Sequence, residues 1–307
     1  MQDTTATHAA PGRRALKGVR VLSLALNLPG PAALMRCQQM GATCVKLEPL
    51  APRGALPGTS GDPMGIYNPS AYATLHQGVR IVAADLKTEP GQRLARRELA
   101  RADVLLSSFR PSAMKRLGLD WKTLHRQYPA LSQVAIVGAA GPRAEEPGHD
   151  LTYLAQNDLV PGLELPATLY ADMGGSLAAS EAVLKAALVQ YRTGRGIYLE
   201  VALSEAAAYL ALPRTWGLTK PGAAVGGGHA GYRLYRCKNG RVAVAALEPH
   251  FAARWVALAG RADQGRLALL APATHEAVQT WLLTLSCEEL QALAVTHDLP
   301  VHTMPDR

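Results

Sequence analysis

Val19-Arg20-Val21-Leu22-Ser23-Leu24 is the segment from which the fold follows, because apolar residues alternate along it and a turn rich in glycine and proline comes next. Alternation with a period of two predicts a β-strand. Residues 32–40 have the pattern of a helix that ends at Gly41, and residues 43–47 have the pattern of a second short strand. A strand, a helix and a strand in this order predict a parallel pair joined by a right-handed crossover.

The same alternation of strands and helices continues to about residue 137. Residues 49–69 are rich in proline, glycine and serine and therefore predict a loop. The elements predicted after this loop are strands at 80–84, 103–107 and 132–137, and helices at 90–101 and 124–128. This pattern favours an α/β domain of the doubly wound, Rossmann-like kind over residues 16–220. It is not a dinucleotide-binding domain, because Asn27-Leu28-Pro29-Gly30-Pro31 stands where a G-x-G-x-x-G fingerprint would follow the first strand.

A second, smaller α+β domain is predicted for residues 221–307, with its boundary inside the loop-rich residues 212–228. Its first part is a hairpin, because two strand-like segments flank Lys238-Asn239-Gly240. The predicted strands are residues 232–237 and 241–247, and the closing helices are residues 278–286 and 288–296. The run Gly226-Gly227-Gly228 lacks the GK[ST] ending of a phosphate-binding loop, so we interpret it as a flexible loop.

Composition narrows the class of ligand. The chain has 307 residues, a formal net charge of +8 and only 5% aromatic residues. Because the basic residues are scattered and few aromatic rings offer stacking surfaces, a polyanionic small molecule fits the charge better than nucleic acid does. No apolar run is long enough to span a membrane. Residues 1–15 are polar, which predicts a disordered tail without a secretory signal.

The cysteines predict neither a metal site nor a disulfide framework. Cys37, Cys44, Cys237 and Cys287 form no C-x-x-C or other metal-ligand pair. We expect them to be buried small hydrophobic residues in a protein of the reducing cytoplasm.

Two stretches carry groups that can move protons. His149 stands directly before Asp150 at a glycine turn, and Asp172 stands just ahead of Gly174-Gly175 and a predicted helix at 176–190. A helix start has a positive field, so we expect the ionised form of Asp172 to be favoured. An imidazole and a carboxylate that face one substrate can act as an acid and base pair. The alternative is a plain turn in which Asp150 caps the next helix.

Short motifs follow one another along the whole chain. They are Leu16-Lys17-Gly18-Val19-Arg20-Val21-Leu22, Pro29-Gly30-Pro31-Ala32, Met40-Gly41-Ala42, Val45-Lys46-Leu47-Glu48-Pro49, Ala84-Asp85-Leu86-Lys87, Ala102-Asp103-Val104-Leu105, Phe109-Arg110-Pro111, Arg116-Leu117-Gly118-Leu119, Gly148-His149-Asp150, Thr193-Gly194-Arg195-Gly196 and Ala246-Leu247-Glu248-Pro249-His250-Phe251. Their order and spacing resemble the family III CoA-transferases of the CaiB/BaiF type, and most closely the α-methylacyl-CoA racemase branch of that family. The resemblance implies an enzyme whose first domain binds CoA.

The resemblance assigns catalytic roles to three residues. In the racemase branch, the residues matching His149 and Asp172 flank the α-carbon of a 2-methylacyl-CoA, and the residue matching Glu248 supports the histidine by hydrogen bonding. This implies 1,1-proton transfer at the α-carbon. In the transferases, the aspartate matching Asp172 instead forms an acyl anhydride, so transfer of CoA between carboxylic acids stays open. His149 and the motif of Glu248 favour proton transfer, since a transferase needs neither.

Residues for binding CoA are also implied by the resemblance. CoA enters as part of the substrate, and no permanently bound cofactor is expected. Arg110 matches an arginine near the CoA nucleotide, where its planar fork suits phosphate, and the alternative is a surface arginine at a helix start. Pro49 replaces a basic residue of some relatives, which leaves Arg53 as a substitute. Backbone N–H groups near Gly148 or Gly174 would stabilise an enolate oxygen, and Asp150 would cap a helix or orient the substrate.

A homodimer is the assembly that the resemblance implies. Family members continue for several dozen residues beyond the position of Arg307 and return to the first domain, and this return segment is missing here. Ala171 also stands where a glycine usually precedes the aspartate. A truncated relative that binds CoA without turnover is therefore a third alternative.

Overall fold

The computed structural model describes residues 14–56, 58–261 and 268–306. One compact unit ends at Ala211 and a second begins at Leu212, earlier than the division after residue 220 that we predicted. The short helix at the start of the loop-rich residues 212–228 already belongs to the second unit. Residues 14 and 15 are not part of a disordered tail, because they lie in a turn in which the Lys17 N–H donates to the Arg14 carbonyl at 3.0 Å. Residues 1–13 of the predicted tail lie outside the described residues.

A parallel sheet forms the centre of the first unit, and six strands belong to it among the residues described there. They are β1 (Arg20–Ser23), β2 (Thr43–Glu48), β3 (Arg80–Ala83), β4 (Val104–Ser107), β5 (Ser132–Val137) and β6 (Tyr198–Ala202). Their order across the sheet is β3-β2-β1-β4-β5-β6, and Val21 of β1 pairs with Cys44 on one side and Val104 on the other. This is the doubly wound order, so the predicted fold class is confirmed.

Helices cover both faces of the sheet. They are α1 (Pro29–Gln39), α2 (Pro63–Tyr67), α3 (Pro69–Leu75), α4 (Glu89–Leu99), α5 (Pro111–Arg116), α6 (Trp121–Gln127), α7 (Asp150–Gln156), α8 (Tyr170–Thr193) and α9 (Leu203–Leu210). One apolar core contains Leu34 and Val183, from α1 and α8, and the other contains Leu99 of α4. Strands β4 and β5 are buried along their whole length between these cores, which explains their nearly continuous apolar sequences.

Helix α8 lies close against α1 because its inner face carries small side chains. The buried small residues are Ala171, Gly175, Ser176, Ala179, Ser180, Ala182 and Ala186. Arg36 of α1 adds a polar contact, since its Nε donates to the Ser180 Oγ at 3.0 Å. Because α8 precedes the parallel strand β6, it begins at the edge of the sheet where the strands end. Asp172 lies in its first turn and is thereby placed at that edge.

The second unit has its own antiparallel sheet, in which the described residues form three strands. Its elements are α10 (Leu212–Thr215), β7 (Tyr232–Cys237), β8 (Gly240–Ala245), α11 (Pro249–Leu258), α12 (Pro272–Leu282), α13 (Cys287–Thr296) and β9 (Val301–Pro305). The predicted hairpin is confirmed, with Cys237 paired to Gly240 next to the turn. The core of this unit surrounds Trp255, whose ring meets Trp281 edge-on at 5.2 Å between centroids.

Some predicted elements were wrong. Residues 63–69 are not loop, because α2 and the start of α3 lie there. Asp62 and Asn68 accept hydrogen bonds from N–H groups of the first turns, at 2.9 and 3.1 Å, and so cap these short helices.

Helix α8 begins before the predicted residue 176. Strands β6 and β9 were not predicted, because Glu200 and His302 interrupt their apolar sequences and both strands are only partly buried. Within the described residues, no helix has the length and apolarity needed to cross a lipid bilayer.

Candidate active site

The strand order reverses between β1 and β4, and this point is where open α/β sheets usually bind ligands. The chain leaves β1 through residues 24–28 and leaves β4 through Ser108-Phe109-Arg110. The two exits are joined, since the Leu26 N–H donates to the Ser108 Oγ at 3.1 Å. The switch point of this sheet is therefore formed by two loops that contact each other.

Asp150 brings the two predicted stretches together. It is the first residue of α7, it is only 4% exposed, and its Oδ1 accepts a hydrogen bond from the backbone N–H of Asp172 at 2.9 Å. The prediction that Asp150 caps its own helix was wrong, because His149 occupies the N-cap position of α7. Asp150 instead satisfies an N–H in the first turn of α8. His149 and Asp172 are consequently neighbours in space.

Asp172 has an unusual acidity. It is half-buried, and burial together with the negative charge of Asp150 raises its pKa to about 6, although His149 acts in the opposite direction. We predicted that the helix start would favour the ionised form. That prediction was wrong, because the loss of hydration outweighs the field of the helix. Asp172 can thus exchange a proton near neutral pH.

The turn before α7 holds His149 by its backbone and leaves its side chain exposed. The His149 N–H donates to the Thr152 Oγ1 at 3.1 Å, and this hydroxyl donates to the His149 carbonyl at 2.7 Å. Gly148 is required by close packing, because a Cβ there would lie 2.6 Å from the hydroxyl oxygen of Tyr153. The imidazole is therefore presented to solvent from a rigid turn.

The backbone N–H groups near Gly174-Gly175 are not available to an enolate oxygen. Since α8 begins at Tyr170, the N–H groups of Gly174, Gly175 and Ser176 lie inside the helix and are used by its own carbonyls. The prediction for these groups was wrong for this reason. The Gly148 turn stays as a predicted source of donors.

The predicted CoA-binding arginines lie on two loops at the same edge of the sheet. Arg110 follows β4, stands at the N-cap of α5 and is exposed. Burial and the charge of Asp172 raise the pKa of Tyr153, and the charge of Arg110 acts in the opposite direction. Arg110 and Asp172 therefore both influence the same tyrosine. Arg53 follows β2 in an exposed turn closed by the Ala55 N–H and the Pro52 carbonyl at 3.1 Å.

Glu248 belongs to the second unit. It is exposed and precedes α11 as its N-cap residue. Its predicted hydrogen bond to His149 stays a prediction.

The four cysteines are buried and free, as we predicted. Among the described residues, no cluster of three or more His, Cys, Asp or Glu side chains has the arrangement of a metal site.

Tyr67 and the buried charged residues Asp62 and Lys46 were not predicted from the sequence. Burial and the charges of Asp62 and Asp172 raise the pKa of Tyr67, which places this exposed side chain within the electrostatic reach of Asp172. Asp62 itself is fully buried with Lys46. The Asp62-Pro63 pair is a helix-start signal that would have located α2.

The first unit is a doubly wound α/β fold in which the turn of His149 and the first turn of the helix that carries Asp172 are joined by a hydrogen bond. The model of CoA-transferase family III matches residues 16–306, and the chain belongs to this family.

Relatives in the family have different activities. Mouse alpha-methylacyl-CoA racemase is 32% identical over 254 residues, covering 77% of this chain and 62% of the racemase. Succinyl-CoA–D-citramalate CoA-transferase of Chloroflexus aurantiacus is 29% identical over 208 residues, covering 62% of this chain and 50% of that enzyme. The matched part thus spans less than two thirds of the length of these curated relatives.

Solved structures show the same fold. The hypothetical protein Rv3272 of Mycobacterium tuberculosis has a TM-score of 0.76 and 23% identity, covering 93% of this chain and 84% of that chain. A CaiB/BaiF family protein of Brucella suis has a TM-score of 0.73 and 21% identity, covering 95% of this chain and 84% of that chain. Both similarities support the architecture described above.

Proposed function

We propose that the protein transfers a proton at the α-carbon of an acyl-CoA thioester, in the manner of an α-methylacyl-CoA racemase. The observation that carries the proposal is the Asp150–Asp172 hydrogen bond of 2.9 Å, which joins the turn of His149 to the first turn of α8. The similarity to mouse alpha-methylacyl-CoA racemase over 77% of the chain supports it.

Proton transfer in both directions requires two groups that can each act as an acid and as a base. In one direction His149 takes the α-proton and the protonated Asp172 gives its proton to the opposite face of the enolate. In the other direction the Asp172 carboxylate takes the proton and the imidazolium gives one. The two starting forms contain the same number of protons and differ only in which of the two side chains carries the exchangeable proton. Because burial and the charge of Asp150 raise the pKa of Asp172 to about 6, this carboxyl can give a proton in one direction and take one in the other near neutral pH.

The remaining predicted residues would support these steps. Glu248 would accept a hydrogen bond from His149 and so select its tautomer. Arg110 and Arg53 would bind the phosphate groups of CoA, which is part of the substrate. The turn at Gly148 would supply a backbone donor to the enolate oxygen, and Asp150 would hold the two catalytic stretches together.

CoA transfer between carboxylic acids is the second candidate. The same half-buried Asp172 would attack the thioester carbonyl and release the CoA thiolate, giving an aspartyl anhydride. The incomplete hydration of this carboxylate supports such a role, and the similarity to a CoA-transferase of Chloroflexus aurantiacus supports it as well. We favour proton transfer because an anhydride route has no use for His149.

One experiment distinguishes the candidates. The protein is incubated with a 2-methylacyl-CoA in heavy water, and the α-proton is followed by NMR with and without a second carboxylic acid. Loss of the α-proton without the acid indicates proton transfer. Acyl exchange that requires the acid indicates the transferase. CoA binding without either reaction indicates the inactive relative and contradicts the proposal.

Assembly and location are proposed on separate grounds. We propose a homodimer because of the resemblance to the family, and light scattering after size exclusion tests it. We propose the cytoplasm because all four cysteines are free and buried. Localisation of a tagged chain in its host tests this second proposal.

A further inference from the structure

A group of buried charges lies behind the candidate site in the first unit. Lys46 and Asp62 are fully buried, Glu48 is 4% exposed and His76 is 7% exposed. Lysine and aspartate are almost never fully buried unless they are paired, because removing a charge from water costs several kcal/mol. Other polar groups must therefore stabilise these buried charges, and the contacts of Lys46 identify them.

The ammonium group of Lys46 has three partners. Its Nζ lies 2.5 Å from the Asp62 Oδ2, 2.9 Å from the His76 Nε2 and 3.4 Å from the Glu48 Oε2. Asp62 and His76 are its hydrogen-bond partners, and Glu48 adds an ion pair. Lys46 is therefore held in one position.

His76 takes part as a neutral ring. Its Nδ1 lies 2.7 Å from the Tyr72 carbonyl, so this nitrogen carries the proton and donates it. Its Nε2 is then the acceptor for Lys46. Burial and the charge of Lys46 both lower the pKa of His76, in agreement with this tautomer.

Asp62 also accepts hydrogen bonds from the backbone of two segments, the turn after β1 and the first turn of α2. Its Oδ1 accepts from the Asn27 N–H at 3.1 Å and from the Met64 N–H at 2.9 Å, while its Oδ2 faces Lys46. Asn27 lies in the turn after β1 and has a φ of 62°, a left-handed conformation that needs support in a residue other than glycine. Met64 lies in α2, the helix that carries Tyr67.

We propose that Lys46 and Asp62 are positioning residues for acyl-CoA binding. Lys46 aims the Asp62 carboxylate, and the carboxylate fixes both the turn after β1 and the start of α2. The inference rests on the proposed function, since the site that it serves is the one at Asp172. Both side chains are fully buried, so we expect their loss to act on substrate affinity more than on the chemical step.

The amide Asp62→Asn tests the need for two acceptor oxygens. One amide oxygen can accept from Lys46 or from the Asn27 N–H, but not from both sides, because the other arm of the amide is a donor. We expect KM for a 2-methylacyl-CoA to rise at least about tenfold and kcat for α-proton exchange to change by less than about threefold. We also expect faster amide hydrogen exchange in a peptide that covers Leu26 to Gly30. Glu181→Gln on the exposed surface of α8 is the matched control.

The double variant Lys46→Met with Asp62→Asn distinguishes positioning from a merely structural role. Without Lys46, the single amide oxygen is free to accept from Asn27, so KM and the protection of this peptide should return toward the values of the wild type. A double variant that is as impaired as Asp62→Asn, or a single variant with unchanged protection, would overturn the proposal. If the wild type shows no α-proton exchange at all, the proposed function fails, while the protection and the calorimetric Kd for CoA still test the positioning role.

Discussion

The carboxylate of Asp150 accepts a hydrogen bond from the backbone N–H of Asp172 at 2.9 Å, across two different helices. This contact holds the first turn of α8 to the turn that carries His149. It also places a second negative charge beside Asp172, which adds to the effect of burial on its pKa. One buried carboxylate thus sets both the geometry and the acidity of the candidate pair.

Asp150→Ala should impair turnover beyond its effect on stability. We expect the free energy of unfolding to fall by about 1 kcal/mol, as for a lost helix cap, and α-proton exchange to fall by about 10²-fold. Urea unfolding and NMR exchange measure the two effects. Asp120→Ala is the control, because Asp120 caps α6 by accepting from the Thr123 N–H at 3.2 Å. Equal losses of activity in both variants would contradict a special role for Asp150.

His149→Ala should lower α-proton exchange by roughly 10²–10⁴-fold, because the variant lacks one of the two proton-transfer groups. The affinity for CoA should stay nearly unchanged, since the side chain of His149 is exposed and its turn is held by backbone contacts. NMR exchange and calorimetry make these measurements, with His297→Ala as the control. Near-normal exchange would remove His149 from the mechanism.

Asp172 should make stability depend on pH. Its pKa is about 6 in the folded protein and about 3.9 in an unfolded chain. Between these values the folded protein binds more protons, so the contribution of Asp172 to stability falls as the pH rises from about 4 to about 6. We expect the Tm of Asp172→Asn, relative to the wild type, to increase over this interval and to level off above it. Thermal unfolding at several pH values tests this, with Glu181→Gln as the control, and a constant Tm difference would argue against a raised pKa.

Arg110→Ala should weaken CoA binding by about tenfold, because a charged hydrogen bond to phosphate is lost. The binding that remains should depend less on salt, since an exposed phosphate contact is screened by ions. Calorimetry at low and high salt measures both effects. Arg116→Ala changes another exposed arginine on the same helix and should have little effect. An unchanged Kd would make Arg110 a plain surface residue.

Asp172 should carry no acyl group during turnover if it acts as an acid and a base. Hydroxylamine treatment during turnover with a 2-methylacyl-CoA, followed by mass spectrometry, would mark an acyl anhydride at this position. We expect an unmodified carboxylate, with Asp172→Asn as the control for background labelling. An adduct that forms and decays as fast as product appears would favour the CoA-transferase instead.

Local patterns were sufficient for most of the first sheet. Alternating apolar residues predict β1, and the apolar runs of β4 and β5 predict strands, which the structure buries along their whole length. Strands β6 and β9 escaped prediction because Glu200 and His302 interrupt their apolar sequences, so that only the pairing, such as Gln133 with Tyr198, identifies them. Asp62 and Asn68 resemble loop residues in the sequence, although in the structure their side chains start two helices.

The amino-acid sequence by itself determined the alternation of strands and helices, the family motifs and the identity of His149 and Asp172 as candidate groups. These features depend on periodicity and residue type within short segments. Only the tertiary structure decided that Asp150 caps α8, that burial raises the pKa of Asp172, and that Lys46 is enclosed with Asp62 and His76. Lys46 stands in β2, and its burial depends on the segments that pack over it, the loop at Asp62 and helix α3. Hydration and charge are set by neighbours that are distant in the chain, and for this reason local patterns could not reveal them.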